Sequence, residues 1–516
     1  MRREELLARL EGEGEFDLAV IGGGATGLGV GVEAVSRGYK TVLLDQHDFC
    51  KGTSSKSTKL IHGGVRYLSQ GNFSLVVDAL RERGLLLRNA PHLVKALPMI
   101  VPAYRFWHRP YYGFGLKLYE WLSGRLSLGK TRVLSRREVV RRIPSISTRG
   151  LRGGVLFHDG QFDDARLGLA LMRTMADLGG LPLNYVRADG LLKSGKAVSG
   201  VRAVDVLSGR EYDVRAKVVV NAAGPLADQL RTMADSRVPR RILVSRGSHV
   251  VLDRRFLGGS SALLVPRTDD GRVLFAIPWY DRVVVGTTDV PVEEPSLEPV
   301  PTDAEIDFIL SHLGRYLSVP PERSDIFSVF AGLRPLIAAS GGGVAKTSAL
   351  SRDHTLEVLG ERMISVLGGK WTSYRKMGED AVDEAVRLAN LPPSKSISRG
   401  LRLWGAGEEY AHSPYGGDVP ALRELANSDP SLGTPLHPAL PYRRAVVVWA
   451  ARHEWACTVE DVLARRTRSL LLDARASLEA APAVADLLAR ELGRDAHWRE
   501  AQAAEFQKLA RAYLPA

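Results

Sequence analysis

Phe16-Asp17-Leu18-Ala19-Val20-Ile21 runs directly into Gly22-Gly23-Gly24-Ala25-Thr26-Gly27, and a second apolar run, Thr41-Val42-Leu43-Leu44, ends on Asp45. The pattern reads as strand, glycine turn, helix and second strand, the arrangement that cradles a dinucleotide. Gly22 permits the tight turn, Gly24 lets the backbone approach a pyrophosphate, and Gly27 lets the helix lie close to the sheet. Gly23, Ala25 and Thr26 complete the turn and the first helical positions, where a pyrophosphate meets the helix N-terminus. Asp45 follows Gly27 by eighteen residues and stands where the hydroxyls of an adenosine ribose are accepted. An acid there disfavours a 2′-phosphate, and with it NADP.

The chain has 516 residues, 45 % of them hydrophobic, enough for a large core divided into two or three domains. A formal net charge of +12 points to an anionic partner, whether acidic lipid, nucleic acid or a negatively charged substrate. The two cysteines, Cys50 and Cys457, form no CxxC pair, so neither an iron–sulfur cluster nor a cysteine-rich zinc site is expected, and no metal is assigned. That cysteine usage fits a reducing cytosolic compartment. Residues 1–15 mix Arg and Glu without an apolar core, and no run of 18 apolar residues occurs, so neither secretion nor a membrane span is expected.

Two later stretches read as returning pieces of the nucleotide-binding domain. Val218-Val219-Val220 before Asn221-Ala222-Ala223-Gly224 has the form of a buried parallel strand with a small-residue turn. Ile364 to Leu367 reads as another strand, Gly368-Gly369 as a turn, and Thr372 onward as a helix with Met377, Ala381 and Ala385 on one face. Between them, residues 248–252, 273–277 and 282–287 read as strands of an antiparallel cap, with His249 opening the first. After Pro392-Pro393-Ser394 the composition turns helical, with helices expected over residues 443–472 and 477–513. The expected division is an N-terminal extension (1–15), a discontinuous nucleotide-binding domain with an interleaved cap (16–395) and a C-terminal helical domain (396–516).

Gly52-Thr53-Ser54-Ser55-Lys56-Ser57-Thr58-Lys59-Leu60-Ile61-His62-Gly63-Gly64-Val65-Arg66-Tyr67-Leu68 closely resembles the signature of FAD-dependent glycerol-3-phosphate dehydrogenases. Phe162-Asp163-Asp164-Ala165-Arg166-Leu167, Gly247-Ser248-His249, Gly286-Thr287-Thr288-Asp289, Gly332-Leu333-Arg334-Pro335-Leu336, Ser351-Arg352-Asp353 and Gly368-Gly369-Lys370 extend the resemblance in order along nearly the whole chain. It implies an α/β fold with a discontinuous Rossmann-like FAD-binding domain, an antiparallel-sheet substrate domain and a C-terminal helical domain. It also implies FAD as cofactor and oxidation of sn-glycerol 3-phosphate to dihydroxyacetone phosphate, with electrons passed to membrane quinone.

The residue chemistry is consistent with that implication. A phosphomonoester dianion needs several cationic donors, and Arg66, Arg334, Arg352 and Lys370 match family positions near the substrate. Tyr67 is a further phosphate-binding candidate. Lys370 can also stabilise the negative charge of a reduced flavin. Removing the hydroxyl proton calls for a base, for which His62 and His249 are the candidates, His62 ahead. Thr53, Ser54, Ser55, Ser57 and Thr58 form a hydroxyl-dense loop suited to phosphate and flavin edges, with Gly369, Lys370 and Thr372 on the returning piece.

Residues 104–121 carry eight aromatics in eighteen positions, against 7 % in the chain as a whole, and basic residues as far as Arg132 surround them. This mixture suits the headgroup boundary of an anionic membrane, so peripheral docking on the cytoplasmic face is expected. Three other readings stay open: an oxidase with the same site that uses oxygen, an amino-acid oxidase of the same fold, and a basic flavoprotein that binds RNA. The last lacks a recognisable RNA module, so no nucleic acid is expected. A homodimer is left open.

Overall fold

The computed structural model describes residues 2–68, 72–338 and 354–515; the side chains of Arg66 and Tyr67 also lie outside the described set. The nucleotide domain is built on a parallel sheet whose strands run in the spatial order Met363–Gly368, Glu211–Asn221, Phe16–Ile21, Thr41–Leu44 and Leu181–Leu183. The three segments picked out from the sequence are thus neighbours in space. Phe16–Ile21 sits in the middle, paired with Ala216–Asn221 on one side and with Thr41–Leu44 on the other. Where they pair in parallel these strands are almost wholly buried, which is why those parts read as continuous apolar runs and not as alternation. Helices Ala25–Ser36 and Tyr374–Ala389 pack against each other on this sheet.

The first expected piece, residues 1–15, is not a loose extension. Arg3–Gly12 is a helix whose Leu6 and Leu10 enter the same core as Phe16 and Leu18.

The cap is a second, larger sheet. At one end stands the long antiparallel pair Ile242–Asp253 and Ile326–Ile337, followed in order by Arg282–Gly286 and Leu274–Trp279. It continues through Ala262–Val265 to Val94–Ala103 and Gly153–Phe162, which the sequence reading did not assign. His249 therefore lies in the interior of a twelve-residue strand, between Gly286 and Phe330, and does not open it.

The C-terminal part is helical, but not in two long pieces. The segment expected to be helical over 443–472 holds Ala445–His453, a π-helical turn Asp461–Arg466 and the short helix Ser469–Leu472. The next divides into Ala474–Leu492 and Ala496–Arg511, separated by Gly493 in a left-handed cap. Val462, Leu470, Val484 and Leu488 share a core with Val251, Val284 and Phe330 of the cap sheet, so this region closes the outer face of the cap.

Candidate active site

A cleft opens at the carboxyl ends of the parallel strands, lined by Gly22, Gly24, Ala25 and Thr26 from the first turn, Asp45 from the second strand end, and Gly369 and Lys370 from the third piece. The glycine turn is required by contact. A Cβ on Gly27 would lie 1.8 Å from the Gly22 carbonyl oxygen, so a side chain there would force the helix off the turn. Gly24 is the N-cap of helix Ala25–Ser36, and a Cβ on it would meet the Ser54 hydroxyl at 3.0 Å, at the spot where a pyrophosphate must approach the helix amides. Gly23 and Gly27 support the turn from behind and do not line the cleft.

Asp45 accepts from the Gly23 N–H at 2.6 Å and from the His47 N–H at 2.8 Å. Burial pushes its carboxyl up to about 6 against the pull of those two amides. The carboxylate is thereby oriented at the cleft wall where ribose hydroxyls would donate to it.

Only part of the hydroxyl-rich loop faces the cleft. Thr53 and Ser54 line it; Thr53 donates to the Leu333 carbonyl at 2.6 Å, and the Ser54 hydroxyl accepts from the Ala25 N–H at 2.9 Å. Ser55, Ser57 and Thr58 turn away. Ser57 donates to Asp164 at 2.7 Å, and the Thr58 hydroxyl lies 3.0 Å from Nε2 of His249. The reason is the buried Lys59–Asp164 pair at 2.6 Å, which draws this half of the loop inward. Trp371, which no sequence motif marks as a ligand residue, donates from its indole to the Ser54 carbonyl at 2.8 Å and so joins the third piece to the loop. Thr372 is buried beneath it, donating to the His62 carbonyl at 3.4 Å.

On the cap side, His249 stacks on Phe330 with centroids 4.6 Å apart and planes 9° from parallel. Burial, then the Arg334 and Lys59 cations, hold its imidazole well below the ordinary range, and it is neutral at physiological pH. Arg334, on the strand next to it, donates to the Thr288 carbonyl at 3.0 Å and the Thr287 hydroxyl at 2.9 Å and pairs with Asp289 at 3.3 Å. It keeps 24 % side-chain exposure. The structure therefore brings Thr58 to His249, with the Arg334 cation near enough to act on the imidazole, but none of the three lines the cleft itself. His62 is half-buried at the end of the short strand Leu60–Ile61 and does not line the cleft. Arg352 lies outside the described residues, as do the side chains of Arg66 and Tyr67.

The wall also contains Lys56, a member of the Gly52–Leu68 signature to which no role was assigned, whose ammonium pairs with Glu298 at 2.7 Å, and Leu297, which carried no sequence signal, from the segment that crosses from the cap. Among the described residues no group of three or more His, Cys, Asp or Glu could hold a metal ion.

These features place the chain among known proteins. The model of the FAD dependent oxidoreductase family matches residues 17–369, and that of the C-terminal domain of alpha-glycerophosphate oxidase matches residues 392–500. The fold and cleft thus define an FAD-dependent oxidoreductase. The chain is 38 % identical to the mitochondrial glycerol-3-phosphate dehydrogenase of Homo sapiens, over 99 % of its own length and 75 % of that protein, and 37 % identical to that of Arabidopsis thaliana, over 95 % and 85 %. The X-ray structure of the glycerol-3-phosphate dehydrogenase from Bacillus halodurans complexed with FAD superposes with a TM-score of 0.78 at 26 % identity, covering 99 % of this chain and 98 % of that one. The chain belongs to the glycerol-3-phosphate dehydrogenase family of FAD-dependent enzymes. Its glycine cradle, helix N-terminus and Asp45 fit that cofactor.

Proposed function

We propose that the protein oxidises the secondary hydroxyl of sn-glycerol 3-phosphate, giving dihydroxyacetone phosphate, and passes the two electrons to quinone at a membrane surface. The observation that carries this reading is the contact between Thr58 on the cofactor loop and His249 on the cap strand, which joins a buried, neutral imidazole to the loop whose Thr53 and Ser54 line the cleft. Bound FAD supplies the acceptor for the carbon-bound hydride. His249, neutral and desolvated, takes the hydroxyl proton through its Thr58 partner. Arg334 and Lys370 supply cationic donors for the phosphate, and Asp289 holds the Arg334 fork in place. The motif positions Arg66, Tyr67 and Arg352 complete the substrate set by resemblance, with His62 a flavin neighbour.

The membrane part of the reading is supported by helix His108–Leu122 and the turn before it. Phe106 is 79 % exposed, Trp107 41 %, Phe114 78 % and Trp121 75 %, while Tyr119 and Leu116 anchor the helix in the cap. Exposed aromatics beside Arg105, Arg109, Lys117 and Arg125 suit a headgroup boundary. No described helix is long and apolar enough to cross a membrane. Docking on the cytoplasmic face is the localisation proposed.

The test is anaerobic mixing of the FAD-loaded protein with glycerol 3-phosphate. Bleaching of the flavin band, reversed by a quinone analogue in vesicles, is the expected result. Bleaching reversed only by oxygen with peroxide release would make it an oxidase, and no bleaching would reject the substrate.

A further inference from the structure

Arg468 belongs to the C-terminal helical region, yet its Nη2 donates to the Ser55 carbonyl, 413 residues away, at 2.7 Å and to Oδ1 of Asp164 at 2.8 Å. Lys59 binds the same two groups from the other side, the carbonyl at 2.8 Å and Oδ2 of Asp164 at 2.6 Å. The three charged side chains are all but fully buried. Burial and the Arg468 cation bring the Lys59 ammonium down to about 8, while Lys59 and Arg468 hold Asp164 below the usual carboxylate range against its own burial.

The backbone that presents Arg468 is itself unusual. The π-helical turn Asp461–Arg466 comes just before it, and Arg468 has φ +62°. A left-handed non-glycine residue persists only where its surroundings over-determine it, and π turns concentrate at functional sites. The same turn sends Arg465 and Arg466 to the buried Asp48, three residues beyond Asp45 and seven before Ser55 on the same loop. The stretch Arg465 to Arg468 thus grips the single cofactor-facing loop, residues 45–59, at two points.

We propose that Arg468 is a positioning residue for the reaction centre: by clamping the Ser55 carbonyl and Asp164 it fixes Ser54 on the N-terminus of the cofactor helix and Thr58 on His249. The C-terminal region is then part of the site and not an appendage. A lysine at this position keeps the charge but loses the planar fork that reaches two acceptors at once. The role rests on the reading of His249 given above only for its catalytic meaning.

The test uses the full-length apoprotein, without substrate, so that it stands whether or not glycerol 3-phosphate is the substrate. FAD affinity is measured by fluorescence titration, and the His249 imidazole is titrated by NMR, assigned with His249→Gln. Arg468→Met is expected to weaken FAD binding about tenfold or more, with a smaller loss in Arg468→Lys, as expected for losing hydrogen bonds to a charged donor. In both variants the His249 midpoint moves up toward the ordinary range as water reaches Thr58. A drop in melting temperature with FAD affinity and midpoint unchanged would show a merely structural residue and overturn the proposal. If Arg468→Met does not fold, Arg468→Lys decides alone. Thr58→Val must also move the His249 midpoint; no movement would break the second half of the chain of contacts.

Discussion

The Thr58 hydroxyl meets Nε2 of His249 at 3.0 Å across 191 residues of sequence, and this contact joins the cofactor loop to the cap sheet. With that neutral imidazole as the proposed base, His249→Gln should retain FAD and slow anaerobic flavin reduction by glycerol 3-phosphate roughly 10²–10⁴-fold, the usual worth of a positioned base. His62→Asn should slow it much less. Stopped-flow absorbance at the flavin band checks both, and a slow His62 variant beside a fast His249 variant would exchange their roles.

The same imidazole sets a pH dependence. Its folded-state pKa is depressed, so relative to an unfolded histidine of about 6.5 the stability it confers is present above that value and is lost as pH falls toward the folded value. In catalysis the base stays ready through the ordinary histidine range, and the acid limb of kcat/KM should lie below it. A limb centred near an ordinary histidine pKa would assign the base elsewhere.

The sequence made the nucleotide domain legible because its information is local. Strand, glycine turn, helix and acid fall within residues 16–45, and the returning strands show as apolar runs ending in small residues. The cap was legible only in outline. Val94–Ala103 and Gly153–Phe162 contain Pro98, Gly153 and Gly160, which break the alternation that marks a strand, and the true extent of Ile242–Asp253 is set by pairing with Ile326–Ile337 and not by its own pattern. The π turn was unreadable for the same reason. Asp461–Arg466 has ordinary helical composition, and the partner on which its Arg465 and Arg466 close, Asp48, is far away in sequence. Ser55, Ser57 and Thr58 looked like ligand hydroxyls because nothing nearby showed that Asp164, Lys59 and His249 would claim the inner half of the loop.

Asp45 gives a second pH prediction, of opposite sign. Its carboxyl is raised by burial to about 6, so this site is most favourable below its unfolded value and costs stability as pH rises through about 6. A ribose donates hydrogen bonds to the ionised carboxylate. FAD affinity should therefore fall as pH drops through about 6, by up to about tenfold per pH unit if only the ionised form binds. Asp45→Asn should bind FAD more weakly and flatten the profile between pH about 5 and 8. Fluorescence titration of the apoprotein measures this directly.

Arg334→Ala should cost much more activity on glycerol 3-phosphate than on glycerol, since only the former offers a phosphate to the guanidinium. With a quarter of the side chain exposed, the loss in kcat/KM should sit toward the lower end of the ~2–5 kcal/mol typical of a desolvated charge pair. The variant also leaves Asp289 without this partner, so a structural contribution is separable. Equal losses on the two substrates would mean that Arg334 only holds the 287–289 turn.

The exposed face of helix His108–Leu122 leads to the last prediction. Trp121 and Phe114 stand in solvent on a helix whose opposite face is locked into the cap through Tyr119, which donates to Asp159 at 3.0 Å. Such a helix is rigid, so its aromatics need no refolding to enter a headgroup layer, and the neighbouring Arg and Lys side chains can reach lipid phosphates at roughly 1 kcal/mol each. Raised salt screens only that second contribution and should release part of the protein from anionic vesicles; detergent should release the rest. Trp107→Ser with Trp121→Ser removes the apolar contribution without touching the core, because both side chains are substantially exposed. The double variant should pellet poorly with anionic liposomes and lose quinone reduction in parallel, while flavin reduction and activity with a soluble dye stay near the parent level. Pelleting like the parent would place the membrane contact elsewhere on the molecule.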